Sequence, residues 1–351
     1  MAVDPVPWFI QAPAEHSAEV ARTLAYQAIG GKEGLARAGD LIVRALPVPG
    51  GAVQVLPGAA GILNRGSGGG GQAYVGRVGA AVTVPIAATG SGGGRSDLIV
   101  FRVDDPQYGG QTPDSPVEGP YIRLDVVSGV NVSVTRVQDV PGHEADSAVT
   151  LARVDLPAST GTVTDAMVTP LATVASPRRE ESVFARPRIA ADDTPERNLT
   201  ASVGTGGEFF PGGGGVANEF QVVIPEWAAY AVIDASWLSI YYGANRNPFG
   251  DYWLEFGDEY RPHTWPNKQQ FEFATQHFSF NAPLTADEKT TNWLLMDTVP
   301  IAEKLRGKRA TFAFKAGYGN SPGAGSVWMN SQGGLGCRIT FVEQLIAANL
   351  A

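Results

Sequence analysis

The chain has 351 residues, a net charge of -9, 44% hydrophobic residues and only 17% charged ones. Such a length fits about two domains, and an acidic surface repels phosphate backbones, which argues against nucleic-acid binding. Its 43 Gly and 25 Pro follow no collagen-like period and point to a turn-rich, mainly β protein, while a single Cys excludes an intrachain disulfide framework or a Cys-based zinc site.

The first residues, MAVDPVPWFIQAPAEH, have neither a basic n-region nor an apolar h-region, so a Sec-type leader is not expected. A helix follows: Val20, Ala21, Leu24, Ala25 and Ala28 recur at helical spacing, and Gly30-Gly31 stops it. Short β-type runs come next, at Asp40 to Leu46, Gly51 to Leu56, Gln72 to Val78, Ala81 to Ile86, Leu98 to Val103, Tyr121 to Val127 and Ala148 to Leu156. Gly, Pro, Asn and Asp separate them at sandwich- or barrel-like spacing, and the tracts Gly66 to Gly71 and Gly90 to Gly94 are predicted loop tips. No apolar run is long enough to span a bilayer, so membrane insertion is not expected.

The stretch SGGGRSDLIVFRVDDPQYGG, Ser91 to Gly110, carries two tempting motifs. A phosphate loop requires strand, Gly-rich loop and helix in that order, ending in GK[ST]; here the Gly tract precedes the strand and ends in Gly94-Arg95-Ser96. Asp97 and Asp104, seven residues apart on an extended strand, stand about 23 Å from each other, whereas glycosidase acid pairs need roughly 5 to 10 Å. Asp104-Asp105-Pro106 has the composition of a strand end.

From about Thr173 to Thr205 the chain has few apolar residues, mixed charge and several prolines, which predicts an extended linker or arm. The expected organisation is an N-terminal β domain over 1–172, an arm over 173–205 and a C-terminal β-sandwich of jelly-roll type over 206–351. That last segment holds 24 of the 32 aromatic residues (6 Trp, 6 Tyr, 12 Phe). Strands are predicted at Glu219 to Ile224, Tyr230 to Tyr242, Gln270 to Phe280, Thr291 to Val299, Ala310 to Lys315, Ser326 to Asn330 and Cys337 to Val342, with a helical turn at Ile301 to Arg306.

Flat aromatic faces beside polar groups bind sugars, and exposed Trp and Tyr also favour protein interfaces. The candidates for a glycan or receptor surface are Trp237, Tyr241, Tyr242, Tyr252, Trp253, Tyr260 and Trp265; packing in a core or subunit interface is the alternative for the same residues. Two-residue alternation places Trp237 and Tyr241 on one face of a strand and Tyr242 on the other. Ala244 to Glu259 lacks the EF-hand ligand positions and is expected to be a solvated loop. No G-x-S-x-G elbow occurs, and the four His residues (His16, His143, His263, His277) form no HxH or HxxxH pair. Neither catalysis nor a cofactor or metal is therefore expected. Asp251, Glu255, Asp258 and Glu259 are the densest acids near aromatics, and they mark where hydrolase chemistry would lie.

Four stretches carry a family likeness: PWFIQAPAEHSAEVARTLAY, PGAAGILNRGSGGGGQAYVGR, ATGSGGGRSDLIVFRVDDPQYGG and LARVDLPASTGTVTDAMVTPLATVASPR. Together they make residues 8 to 178 resemble the N-terminal region of minor tail proteins of actinobacterial siphophages. The resemblance implies a module that docks a tail-tip or baseplate component onto the virion, made in the host cytoplasm. It also implies other tail proteins as partners, a homotrimer, and a C-terminal part suited to oligomerisation or contact with host cell-wall glycan. It implies no catalytic residue.

Overall fold

The computed structural model describes residues 17–189, 197–212, 218–243, 248–256, 274–280, 289–319 and 327–344. It is mainly β, with one N-terminal α-helix, and its chain divides into two compact units, Met1–Pro177 and Arg178–Ala351.

Helix α1 (Ala18–Ala28) opens the first unit: the Ser17 hydroxyl accepts from the Glu19 N–H at 3.1 Å, and Gly30 and Gly31 end the helix at φ of 60° and 69°. No α1 residue is fully buried. Arg22 ties the helix to the loops and strands beside it: it donates to Gln72 at 2.6 Å, Gln107 at 2.7 Å and Asp105 at 3.3 Å and lies over the Tyr108 ring.

Ten strands follow: β1 (Gly34–Leu35), β2 (Val43–Ala45), β3 (Ala52–Val55), β4 (Gly58–Leu63), β5 (Ala73–Val78), β6 (Val82–Pro85), β7 (Arg95–Val103), β8 (Ile122–Val130), β9 (Ala148–Leu156) and β10 (Val168–Pro170). They form three antiparallel sheets, ordered β1-β4-β5, β2-β3-β6 and β10-β9-β7-β8. Strand β7 is central and buried on both faces. Ile99 and Phe101 enter the main core with Val53, Ile62 and Leu151, while Leu98 and Val100 meet Val127 and Val137 behind it. Burial on both faces explains why its sequence is a continuous apolar run and does not alternate. The strand also begins earlier than predicted, at Arg95, which places Asp97 inside the sheet with a fully buried side chain.

The second unit holds β11 (Arg179–Arg186), β12 (Arg197–Asn198), β13 (Glu208–Phe209), β14 (Glu219–Val223), β15 (Tyr230–Tyr242), β16 (Phe249–Phe256), β17 (Thr275–Ser279), β18 (Lys289–Pro300), β19 (Arg309–Tyr318), β20 (Val327–Met329) and β21 (Gly334–Val342). One sheet runs β11-β21-β15-β20-β12, with β18 on the other edge of β15; the second runs β13-β19-β16-β17, with β14 also on β19. Ile233, Ala235, Trp237, Leu295 and Ile339 of the first sheet share a core with Leu254, Phe256, Phe312 and Phe314 of the second. This is a β-sandwich, consistent with the jelly-roll type expected.

Two expectations change here. The predicted arm 173–205 is not a free connector in its described part: Leu35 donates to the Thr173 carbonyl at 2.8 Å, and β11 pairs with β21 over eight residues, Arg179 to Arg186. The predicted loop at 244–259 contains strand β16. Its residues alternate, with Tyr252, Leu254 and Phe256 entering the core. Residues 190–196, 244–247 and 257–259 of these two segments lie outside the described residues.

Candidate functional site

The aromatic candidates separate by burial. Trp237 and Trp253 have no exposed surface and Tyr252 is 6% exposed, so these three do not form a binding face. Trp237 packs edge-on against Tyr252 and Phe314, at ring distances of 5.1 and 5.0 Å, and its Nε1–H donates to the Phe210 carbonyl at 3.0 Å. The Tyr252 hydroxyl donates to the Leu294 carbonyl at 2.7 Å, tying the two sheets together, and burial pushes its pKa up. Trp253 lies on the outer side of β16 but is covered by the chain at Gly207, where an added Cβ would stand 2.2 Å from its ring. Large aromatic side chains contribute most when desolvated in this way.

Tyr241 and Tyr242 are half-buried. Tyr241 stacks on Trp328 at 5.8 Å and Tyr242 on Phe280 at 4.1 Å. Simple alternation misassigns them because β15 carries a bulge between Trp237 and Ile240, with Ser239 at φ 60°. One extra residue flips the inward phase from odd to even positions, so Ile240 and Tyr242 join Trp237 on the core side and Tyr241 does not. Tyr260 and Trp265 lie outside the described residues.

The acids near these aromatics are also placed. Asp251 and Glu255 share the outer side of β16 four residues apart, about 13 Å along the strand, beyond the reach of a paired acid and base. Burial raises the Asp251 pKa, partly offset by His277, whose Nδ1 lies 3.0 Å from the carboxylate. Glu255 meets the Trp253 indole at 3.4 Å and Lys315 at 3.8 Å. Asp258 and Glu259 lie outside the described residues. Among the described residues no group of three or more His, Cys, Asp or Glu is placed to hold a metal ion.

The most unusual surface lies on the outside of the sandwich's first sheet. On a solvated antiparallel sheet the outward positions are normally polar. Here the outward positions of β11, β15 and β18 include Val183, Val232, Leu238, Leu294 and Met296, and Leu294 and Met296 are 61% and 76% exposed. Register brings these residues together. Asp234 of β15 pairs with Met296 on one side and Arg338 on the other, and Arg338 pairs with Val183. A shallow depression of about 370 Å³ on this face is lined by Val232, Asp234, Met296, Thr298, Arg338 and Thr340. Sequence reasoning missed this face. Its signal was Trp293-Leu294-Leu295-Met296, four consecutive apolar residues in a strand that alternation makes half outward-facing.

No family model matches the chain, and no curated protein matches it. The structural comparison finds the VP2 subviral particle of infectious bursal disease virus at 12% identity, covering 89% of this chain and 68% of that one with a TM-score of 0.27. It also finds Desmodium yellow mottle tymovirus, at 10% identity over 49% of this chain and 91% of that one, TM-score 0.17. A third is a peptide-N(4)-(N-acetyl-β-D-glucosaminyl) asparagine amidase, at 6% identity over 75% and 89%, TM-score 0.22. Superposition this loose does not define a shared fold, and nothing about this chain follows from these three.

Proposed function

We propose that the chain is a structural component of a virion and acts by assembly, without catalysis of its own. One observation carries this reading: the sandwich presents a whole sheet face whose outward side chains include Val183, Leu294 and Met296. Exposed apolar side chains gathered on one sheet face around a charged pair, Asp234 and Arg338, where outward positions are normally polar, mark a site of macromolecular contact. The sequence resemblance over residues 8 to 178 supplies the setting. In its finer form the reading makes the chain a tail-tip or baseplate protein that forms homotrimers and contacts other tail proteins. Host cell-wall glycan is then a further contact of the C-terminal unit.

Immunogold labelling of particles encoded by the same genome tests this. Label confined to one end of the tail is the expected result. Label spread over the shell would keep the virion role and remove the tail position. Unlabelled particles, with the chain free in the lysate, would refute the reading. Incubation with actinobacterial cell walls tests the absence of catalysis: no reducing sugar is expected to be released. Release abolished by Glu255→Gln would make the chain a hydrolase.

A further inference from the structure

We infer that the outer face of β11-β21-β15-β18 receives a second copy of the same face, related by a two-fold axis that runs parallel to the strands between β15 and β21. The inference rests on the assembly reading above and names the partner of that surface.

The cross-strand rows carry the case. The central row reads Val183, Arg338, Asp234, Met296 across the four strands. Rotation by 180° about an axis midway between Arg338 and Asp234 reverses the row. It sets Arg338 over the partner's Asp234 and Val183 over the partner's Met296. Each charge meets its opposite, and each apolar end meets an apolar end. The next row reads Ala185, Gly336, Ser236, Leu294. Reversal places the large Leu294 over Ala185 and Gly336 over Ser236, so a protruding side chain faces small ones. The row on the other side reads Glu181, Thr340, Val232, Thr298, and reversal gives Thr340 over Val232 and Glu181 over a threonine hydroxyl. In none of these three rows does a charge meet a like charge, and no apolar end meets a charge. An isologous contact requires such self-complementarity about its own centre, and sheets pack face to face with strands nearly aligned, as this axis keeps them.

Size sets the strength. Four strands at about 4.8 Å spacing and the run from Val232 to Leu238 cover roughly 450 Å² in projection. A stable complex buries about 800 Å² per partner. The contact is therefore weak between isolated chains, and it gains strength where other virion contacts hold many copies together.

The test is sedimentation velocity of the full chain from about 1 to about 300 µM, a range suited to a contact below standard size. The wild type is expected to double its mass with concentration; if a threefold ring also forms, the ring doubles. Arg338→Asp leaves a face with two acids and Asp234→Arg a face with two bases. Each is expected to weaken self-association at least tenfold, with circular dichroism melting curves confirming the fold. Arg338 also lies 3.6 Å from Glu181, so loss in one variant alone does not decide the matter. Mixing the two variants does, because an acidic face over a basic face restores the contact and the equimolar mixture is expected to form heterodimers. A wild type that never doubles, single variants that self-associate like the wild type, or a mixture that stays apart would each overturn the two-fold contact. None of these outcomes touches the virion role, which stands or falls on the labelling of particles.

Discussion

Asp97 offers the sharpest test of whether the acids around β7 serve the fold. Its side chain is fully buried, Oδ1 accepts from Arg95 Nε at 2.8 Å and from the Gly129 N–H at 3.0 Å, and Oδ2 accepts from Arg95 Nη2 at 2.8 Å. Asp97→Ala removes every one of these bonds. Breaking a fully buried ion pair costs about 3–5 kcal/mol because the surviving charge is stranded. Here the survivor is less confined: Arg95 is 25% exposed and retains the Ala87 carbonyl, and Gly129 is at the surface. Both can meet water, which lowers the cost to about 2–3 kcal/mol. For a unit of this size that corresponds to a fall in Tm of roughly 5–10 °C. Asp97→Asn keeps an acceptor for Gly129 and is expected to cost about half as much. Calorimetry of the full chain reads this directly, the first unit's transition being the one that a core substitution in the sandwich leaves in place. If both variants melt within about 1 °C of the wild type, the buried pair contributes nothing and the structural assignment of Asp97 fails.

The remaining predictions concern the sandwich. Trp237→Ala should cost about 3–5 kcal/mol by opening a cavity, and Trp237→Phe about 1–3 kcal/mol by leaving the Phe210 carbonyl unpaired; urea midpoints check both, and unchanged midpoints would return Trp237 to the surface. Burial, with Asp234 adding, pushes the Cys337 thiol up to about 12, so alkylation by iodoacetamide should be at least ~100-fold slower in the native chain than in urea, as intact-mass kinetics would show. The Asp251 carboxyl sits above its ordinary range through burial. Its stabilising share is therefore full below the ordinary Asp value of about 4 and is lost as pH rises through the folded value. Asp251→Asn should raise the urea midpoint at pH 7 and leave it unchanged near pH 3.5; an unchanged midpoint at pH 7 would contradict this.

How much of this was legible in the sequence depends on where each residue's partner lies. The bounds of β15 and β9 follow from local patterns, and Tyr230 to Tyr242 and Ala148 to Leu156 were predicted to the residue. The bulge at Ser239 was not, since an ordinary serine takes φ 60° there with no Gly, Asn or Asp to announce it. One hidden residue then reversed the faces of Tyr241 and Tyr242. Strand β11, Arg-Glu-Glu-Ser-Val-Phe-Ala-Arg, has the charged composition of an edge strand. Alone it is indistinguishable from a linker, because the β21 residues that pair with it lie about 150 positions further on. The candidate site was hidden for a related reason. Aromatic content drew attention to Trp237 and Trp253, yet desolvation makes such rings the first to be buried. The outer face is made of ordinary residues, Val183, Val232, Leu294 and Met296, from three strands. Each alone is a tolerable exposed side chain. Only the pairing of Asp234 with both Met296 and Arg338 turns them into one surface, and only the order of the rows across that surface makes it complementary to itself.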